Sequence, residues 1–369
     1  MQNLFSHRIA SWLLFILLAG WWCHYLVQHP ALNWDVIAYM GAALERSVDD
    51  PEEVHRITFD AIKENATKRR YKELTEGDYR NRALKDAAFF NGELGKYRTK
   101  PMYVWTIAWL HARGVPLVFA TVLPSALGAI FLSGIFLAWV SRFRHPWLAL
   151  GVTLLLMVSN PMWYHGRFSS PDMMSAPWIM LVFCLLYFRQ NWWWVLATAA
   201  IATLIRTDNG LLLGLLILYY VWSYAKHKEW ASAKTWGTIG GTAVLGVLLT
   251  AGLAAFFMSD PIGLIKQYLT VYTPKGYPYH LSYSFTQFAH RSSGALITGV
   301  ALASYMFLRK QGKQTLLLLG ILVGVRIILL PLWEERFFIG YEWAALAIIV
   351  SSLYTPLATE SSGRVMKGN

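Results

Sequence analysis

The chain is short of charge and of cysteine. Only 15% of its 369 residues are charged, whereas a soluble globular domain has about 25%. The two cysteines, Cys23 and Cys184, both lie in apolar stretches and predict neither a disulfide framework nor a metal site. The chain also lacks a convincing internal repeat, a low-complexity tract and a glycine-rich nucleotide-binding signature. The shortage of charge indicates that lipid surrounds much of the protein.

Apolar residues are correspondingly frequent, at 56% of the chain. Long apolar runs, which approach or exceed the roughly 20 residues that cross a bilayer, occupy 9–27, 118–140, 236–257 and 314–331. Shorter runs, broken by proline, glycine or a polar residue, occupy 147–163, 174–188, 192–205, 210–224, 294–308 and 338–355. The sequence therefore predicts an all-α polytopic membrane protein with about ten transmembrane helices.

The net charge of +12 is carried mainly by short connections between these runs. The long segment 28–100 is neutral, with 13 acidic and 13 basic residues, so a nucleic-acid-binding face is not expected. The positive-inside rule places the basic connections in the cytoplasm, with both termini. Segment 28–100 then lies outside, and the small loops favour a bacterial inner (plasma) membrane.

The predicted organisation has five parts. They are a first transmembrane helix at 1–27, an outer helical loop with an interfacial segment at 28–117, transmembrane helices 2–7 at 118–258, a second outer loop at 259–293, and transmembrane helices 8–10 with a cytoplasmic tail at 294–369. Composition predicts helices at 35–47, 51–74 and 78–94 within the first loop. The stretch 101–113 is too short for an easy crossing and is expected to lie along or dip into the outer interface.

Ionisable and aromatic residues gather on the predicted outer side, close to helix ends. Because charge is expensive to place near lipid, this clustering is the strongest functional signal in the sequence. Its main members are Asp35, Arg167, Asp172, Arg206, Asp208, His280 and Arg336. Carboxylates, guanidinium groups and aromatic rings suit a site that holds a phosphate, deprotonates a hydroxyl and stacks against a sugar.

Each of these residues also has an ordinary structural explanation. Asp35 and Asp172 stand where a helix cap or first-turn acid is common, and this role explains either residue alone as well as catalysis does. Arg206 and Asp208 are more simply explained as a mutual pair or as side chains that reach the headgroups. Arg326 lies in the middle of an apolar run and must find a partner or a polar cavity.

Four segments in chain order carry a family resemblance. They are Trp34-Asp35-Val-Ile-Ala-Tyr39, then Arg98-Thr-Lys100-Pro101-Met-Tyr103 with Val122-Leu-Pro124-Ser125-Ala, then Gly166-Arg167-Phe-Ser-Ser-Pro-Asp172, and Arg336-Phe-Phe-Ile-Gly-Tyr341. Together they resemble motifs of the GT-C glycosyltransferases that use polyprenyl-phosphate sugars, such as the protein mannosyltransferases and the lipid A aminoarabinose transferase. The chain departs from those motifs at Val36, Met102 and Val122, where members often have Glu, Pro and Arg.

The resemblance implies that Asp35 is the general base and that Asp172 assists it. It implies a leaving polyprenyl phosphate bound by Arg336, Arg206 and Lys100. The other predicted substrate-binding residues are Tyr39, Tyr103, Arg167, Asp208, His280 and Tyr341. The expected partners are a polyprenyl-phosphate-linked sugar, an acceptor that is a lipid, polysaccharide or protein, and membrane lipids. No cofactor is expected, although Asp35 and Asp172 are able to share a divalent metal.

Other functions fit parts of the same pattern. A transporter or flippase of a lipid-linked saccharide also needs charged groups facing a cavity, but it usually carries them near the bilayer midplane and shows inverted repeats. A polysaccharide polymerase or ligase uses Arg and His in a late outer loop, which segment 259–293 provides with His280, His290 and Arg291. A membrane scaffold without chemistry would leave Asp35, Asp172 and Arg336 on one face by coincidence.

Overall fold

The computed structural model describes residues 2–226, 273, 276–290, 293–305, 308, 310–329 and 334–352. Within these ranges every regular element is helical, apart from one isolated bridge between Ala31 and Phe168. The predicted all-α class is therefore confirmed for this part of the chain. The apolar run 236–257, most of the loop before Gly276 and the C-terminal tail lie outside the described residues.

The described helices form a cap, α2 to α8, and a membrane body that contains all the others. The cap helices are α2 (Trp34–Leu44), α3 (Pro51–Asn65), α4 (Lys68–Thr75), α5 (Asp78–Lys85), α6 (Ala87–Glu93), α7 (Gly95–Arg98) and α8 (Pro101–His111). The body helices are α1 (Gln2–Gln28), α9 (Leu117–Val140), α10 (Pro146–Met157), α11 (Asn160–Gly166), α12 (Pro171–Tyr187), α13 (Trp192–Ile205), α14 (Gly210–Lys226), α15 (Gly276–His290), α16 (Ser293–Tyr305), α17 (Lys310–Leu329) and α18 (Ile339–Ser352).

Within the described ranges, three helical stretches are long and apolar enough to cross a bilayer, namely Phe5–Gln28, Leu117–Val140 and Lys310–Ile328. Helices α10 and α11 pass the same test together, but they are bent by 64° at their break. Pro161 lies in the first turn of α11 and lacks the N–H that a continuous helix would need there. These helices identify a membrane protein, while the total of about ten spans stays a prediction.

The cap is helical, as its composition predicts, but two of the expected helices are each divided in two. The expected helix 51–74 ends at Asn65, and the Thr67 hydroxyl then accepts a hydrogen bond from the backbone N–H of Arg70 at 3.2 Å. The expected helix 78–94 is divided at Asp86, whose carboxylate accepts from a backbone N–H of α6 at 2.9 Å. Both divisions follow from side-chain caps, which satisfy first-turn donors that have no partner within the helix.

Helix α2 joins the cap to the membrane body. All of its residues from Val36 to Leu44 are buried, and it packs against α3, α8 and α9. Asp35 stands in its first turn, directly before this buried stretch. The packing of α2 therefore holds the Asp35 carboxylate at the junction of cap and body.

Helix α8 covers the predicted interfacial stretch. Its 11 residues span about 17 Å at 1.5 Å per residue, roughly half of the hydrocarbon core. Tyr103 and Ile107 are buried, whereas Trp105 and Trp109 are exposed. Too short to cross, α8 presents tryptophan rings of the kind that favour the headgroup region.

Helix α12 is the centre of the membrane body and packs against α9, α13 and α18. Two glycines allow this close approach. A Cβ at Gly128 of α9 would collide with the backbone carbonyl of Met173, and a Cβ at Gly340 of α18 would lie 2.7 Å from the carbonyl oxygen of Ala176. Small residues permit such backbone contacts between helices in lipid. The start of α12, with Asp172, is consequently held on two sides.

We expect Gly128→Ala to lower the stability of the purified protein by about 1–3 kcal/mol, the usual cost of overpacking a close contact. The measurement is the thermal unfolding midpoint in detergent. Gly151→Ala on α10 is the matched control, because a Cβ there meets nothing within 4 Å. Equal midpoints for the two variants would contradict the close approach of α9 and α12.

Candidate functional site

A polar cavity of about 250 Å³ lies between the cap and the membrane body. Its lining combines cap residues with residues at the ends of body helices. These are Asp35, Tyr39, Lys96, Tyr97, Lys100, Ser170, Pro171, Asp172, Arg206, Asp208, Arg326, Arg336 and Phe337. Charged side chains therefore dominate the cavity, with aromatic rings between them.

Six of these side chains form a chain of alternating charge, which we call the ion-pair chain. Its members, in order, are Arg326, Asp208, Arg206, Asp172, Arg336 and Asp35. Asp208 accepts from Arg326 at 2.5 Å and from Arg206 at 2.6 Å, and Arg206 also pairs with Asp172. Arg336 then connects Asp172 to Asp35, at 3.4 Å from Asp172 and 3.0 Å from Asp35.

Two members of the ion-pair chain are deeply buried. The side chains of Asp172 and Arg326 are only 3% and 4% exposed. Arg326 also donates to the side chain of Asn209 at 3.3 Å, which answers the sequence expectation that this arginine must find a partner. Since an unpaired buried charge is strongly unfavourable, each member of the chain fixes the position of its neighbours.

Asp35 lies at the end of the ion-pair chain. One carboxylate oxygen accepts from Arg336 at 3.0 Å and from Asn33 at 3.0 Å, and the other accepts from the Tyr97 hydroxyl at 3.2 Å. Its side chain is 24% exposed, in contrast to the buried Asp172. Asp35 is thus oriented by three donors and remains open to the cavity, as a general base requires.

Arg336 is the hub of the site. Besides Asp35 and Asp172, it contacts Glu334 at 2.5 Å. Its guanidinium group also lies 5.3 Å from the centre of the Phe337 ring, over which Arg206 stacks at 3.8 Å. A guanidinium group held by several carboxylates keeps its position when one of them is replaced by another anion.

Lys100 lies in the connection between α7 and α8, with its ammonium group turned inward. Nζ donates to the backbone carbonyl of Lys96 at 2.7 Å. Burial lowers the pKa of Lys100 to about 8, and repulsion from Arg206 contributes in the same direction. This ammonium group is therefore charged at neutral pH and loses its charge in mildly alkaline solution.

Seven predicted site residues meet in the cavity: Asp35, Tyr39, Lys100, Asp172, Arg206, Asp208 and Arg336. Four predicted substrate-binding residues do not line it. Tyr103 is buried in the cap and donates to the Thr121 carbonyl at 2.6 Å. Arg167 donates to the carbonyl of His29, and His280 lies on α15. Tyr341 lines a neighbouring apolar groove instead.

The sequence analysis did not assign Lys96, Tyr97, Ser170 or Arg326 to the site. Lys96 and Tyr97 lie four and three residues before Lys100, so about one helical turn brings them to its side. Ser170 stands directly before Pro171, a pattern that marks a helix start. These local signals were present, but only the fold shows that they point to one cavity.

An apolar groove of about 660 Å³ adjoins the polar cavity. It is formed by α16, α17 and α18. Arg326 and Phe337 line the polar cavity, whereas the next residues, Ile327 and Phe338, line the groove. The linings of the two spaces therefore meet at consecutive residues in two places.

We compared the chain with protein-family models, with curated proteins and with solved structures, and none of the three comparisons found a match. Within the described part of the chain, no group of three or more His, Cys, Asp and Glu residues is arranged to hold a metal ion. The expectation that the site works without a cofactor stays a prediction.

The ion-pair chain predicts a large effect of Asp208→Asn on stability. The substitution leaves Arg206 and Arg326 without their shared carboxylate, and loss of one partner of a buried pair costs about 3–5 kcal/mol. We expect a lower thermal unfolding midpoint in detergent. Asp60→Asn is the control, because Asp60 forms an exposed pair with Arg56 at 3.4 Å and such pairs contribute little. An unchanged midpoint for Asp208→Asn would contradict the structural importance of the chain.

Proposed function

We propose that the protein is a membrane glycosyltransferase that moves a sugar from a polyprenyl-phosphate donor to an acceptor hydroxyl. The observation that carries this proposal is the shared cavity of Asp35, Arg206 and Arg336 beside an apolar groove. A donor of this class has three matching parts. Its reactive sugar carbon belongs near Asp35, its phosphate near Arg206 and Arg336, and its long apolar tail in the groove.

In the proposed reaction the acceptor oxygen attacks the anomeric carbon of the donor sugar. The new carbon–oxygen bond forms as the bond from that carbon to the phosphate oxygen breaks. Asp35 accepts the acceptor's proton, and the electron pair leaves with the polyprenyl phosphate. A carboxylate that is ionised and partly exposed suits this role, and the donors around Asp35 hold it in one orientation.

The charge of the cavity supports a phosphate leaving group. Five basic side chains and three carboxylates line it, and Lys96 and Arg336 also pair with Glu93 and Glu334 outside the lining. The donor is a phosphodiester with one negative charge, whereas the released monoester carries about −1.5 to −2 at neutral pH. Positive groups already held in place stabilise charge that develops during the reaction. Arg336 and Arg206 are also able to grip two oxygens each.

The neighbouring groove gives the donor's tail a place beside the charged cavity. Its lining is mostly apolar, so a polyprenyl tail there has surroundings as apolar as the lipid it comes from. The proposal includes about ten spans, with the cavity on the outer face of a bacterial inner membrane. The acceptor belongs to the lipids, polysaccharides or proteins of that side.

A transporter or flippase of a lipid-linked saccharide would use the same two spaces without bond cleavage. The ion-pair chain favours catalysis over transport, because it links cap and body through the partly buried pair of Arg336 and Asp35, and a moving gate would have to break this pair. His280 lies outside the cavity lining, so the cavity gives no support to a polymerase or ligase that depends on this histidine. Arg291, also part of that alternative, lies outside the described residues.

Asp35→Asn tests the base directly. The variant keeps the size and an acceptor oxygen of the side chain but cannot take the proton, so we expect sugar transfer to fall by about 10²–10⁴-fold with folding and donor binding retained. The assay follows radiolabelled sugar from a lipid-linked donor in reconstituted vesicles. Asp78→Asn, an exposed first-turn acid of cap helix α5, is the matched control. Wild-type turnover by Asp35→Asn would remove Asp35 from the mechanism.

Lys100 predicts how donor binding responds to pH. Below its pKa of about 8 the side chain is charged and attracts the phosphate, and above that value the attraction is lost. We expect the affinity for polyprenyl phosphate to be constant at neutral pH and to fall as the pH rises through about 8. Binding isotherms between pH 6.5 and 9.5 check this expectation. Lys100→Arg should remove the decline, since arginine stays charged throughout; an identical decline in that variant would contradict the assignment.

A further inference from the structure

Ser170 occupies the cap position of α12 without capping it. Its backbone is extended, with φ −152° and ψ 151°, as is usual directly before a helix, but its side chain makes no capping hydrogen bond. The residue is 2% exposed, and its hydroxyl oxygen has no hydrogen-bond partner among the described residues. Ser170 also lines the polar cavity. A buried hydroxyl without a partner is unfavourable, so a ligand is expected to satisfy it.

The start of α12 adds further donors at the same place. The first backbone N–H groups of an α-helix have no partner within the helix, and the helix dipole puts partial positive charge at this end. The helix is 17 residues long, so its dipole is well developed. A serine hydroxyl would normally accept from one of these N–H groups, and here it does not.

The backbone of Ser170 is itself held firmly. Its carbonyl accepts from the Ser125 hydroxyl of α9 at 2.8 Å, and its N–H donates to the Phe168 carbonyl at 3.0 Å. The hydroxyl is thus the polar group of Ser170 that the surrounding protein does not use. These two backbone hydrogen bonds, to Ser125 and Phe168, fix the place of Ser170 at the cavity.

The charges around Ser170 select an anion. Asp172, two residues along the helix, pairs with both Arg206 and Arg336, so its negative charge is compensated. Lys100 lines the same cavity. Helix starts with compensating arginines are well suited to a phosphate group.

We propose that the Ser170 hydroxyl and the N-terminus of α12 form a phosphate-binding subsite of the cavity. The hydroxyl donates to a phosphate oxygen, and Arg336 and Arg206 neutralise the group. That this phosphate belongs to a polyprenyl phosphate rests on the proposed function. Recognition of a phosphate group rests on the helix start, the unused hydroxyl and the two arginines of the lining.

The test is calorimetric binding to the full-length protein in detergent. The probes are decaprenyl phosphate, decaprenol without the phosphate, and inorganic phosphate. We expect Ser170→Ala to weaken binding of decaprenyl phosphate about tenfold or more, as for loss of a hydrogen bond to a charged group, and to leave decaprenol binding unchanged. Ser170→Thr, which keeps the hydroxyl, should bind like the wild type.

The matched control is Ser175→Ala on the same helix. Ser175 is 2% exposed like Ser170, but its hydroxyl donates to the Asp172 carbonyl at 2.9 Å. We expect this variant to bind decaprenyl phosphate like the wild type. Because Ser170 does not cap α12, Ser170→Ala should also keep the wild-type unfolding midpoint. If alanine lowers the midpoint, Ser170→Cys removes the strong donor at nearly the same volume.

The outcomes separate this inference from the proposed function. Weaker binding of both phosphate probes by Ser170→Ala supports a subsite for the phosphate group itself, and weaker binding of decaprenyl phosphate alone supports a subsite for a lipid phosphate. Wild-type affinity in the alanine or cysteine variant, or no phosphate binding by the wild type, overturns the inference. Phosphate binding that depends on Ser170 in a protein without transfer activity would refute the proposed function and leave the subsite standing.

Discussion

The alternating chain from Arg326 to Asp35 is the interaction on which the rest of the site depends. It connects residues 301 positions apart in the sequence and joins five separate parts of the fold. Because charges in a partly dry environment require partners, no member is able to move alone. The charged residues therefore serve two purposes, since they close the contact between cap and body and they form the wall of the cavity.

The close packing of α12 fixes the positions of the side chains in the ion-pair chain. In lipid the hydrophobic effect does little to hold one helix against another, so close backbone contact and polar interactions determine the packing. Gly128 and Gly340 provide such contact on two sides of α12. Asp172 and Ser170 at its start are consequently held in place by helix packing rather than by a flexible loop. A site built on rigid elements keeps its geometry when a ligand enters.

The sequence was informative about residue types and poor about partners. Helical periodicity and composition were sufficient to predict the all-α class and the helical cap, but not the caps at Thr67 and Asp86 that divide two helices. Asp35, Asp172 and Arg336 were identified from charge near helix ends. Arg326 was recognised as needing a partner, yet the identity of that partner, Asp208, depends on a contact across 118 residues that no local pattern encodes.

Residues that are close together in one sequence motif also lie in different places in the fold. Lys100 reaches the cavity, whereas Tyr103, three residues later, turns into the cap and donates to the Thr121 carbonyl. The difference arises because Pro101 begins a helix between them, and successive positions on a helix face different directions. A motif thus predicts which residues are close in sequence, and the helix start decides which of them share a surface.

The ion-pair chain also constrains how the proposed reaction begins. Arg336 pairs with Asp35, so the proposed base and the proposed phosphate ligand neutralise each other. A donor phosphate that takes Arg336 weakens this pair, while Asp172 and Glu334 keep the guanidinium group in place. Asp35 then retains Asn33 and Tyr97 as donors and is free to accept a proton from the acceptor hydroxyl. Under the proposed mechanism, the donor's own charge therefore releases the base, and the acceptor is deprotonated only when a donor is present to receive it.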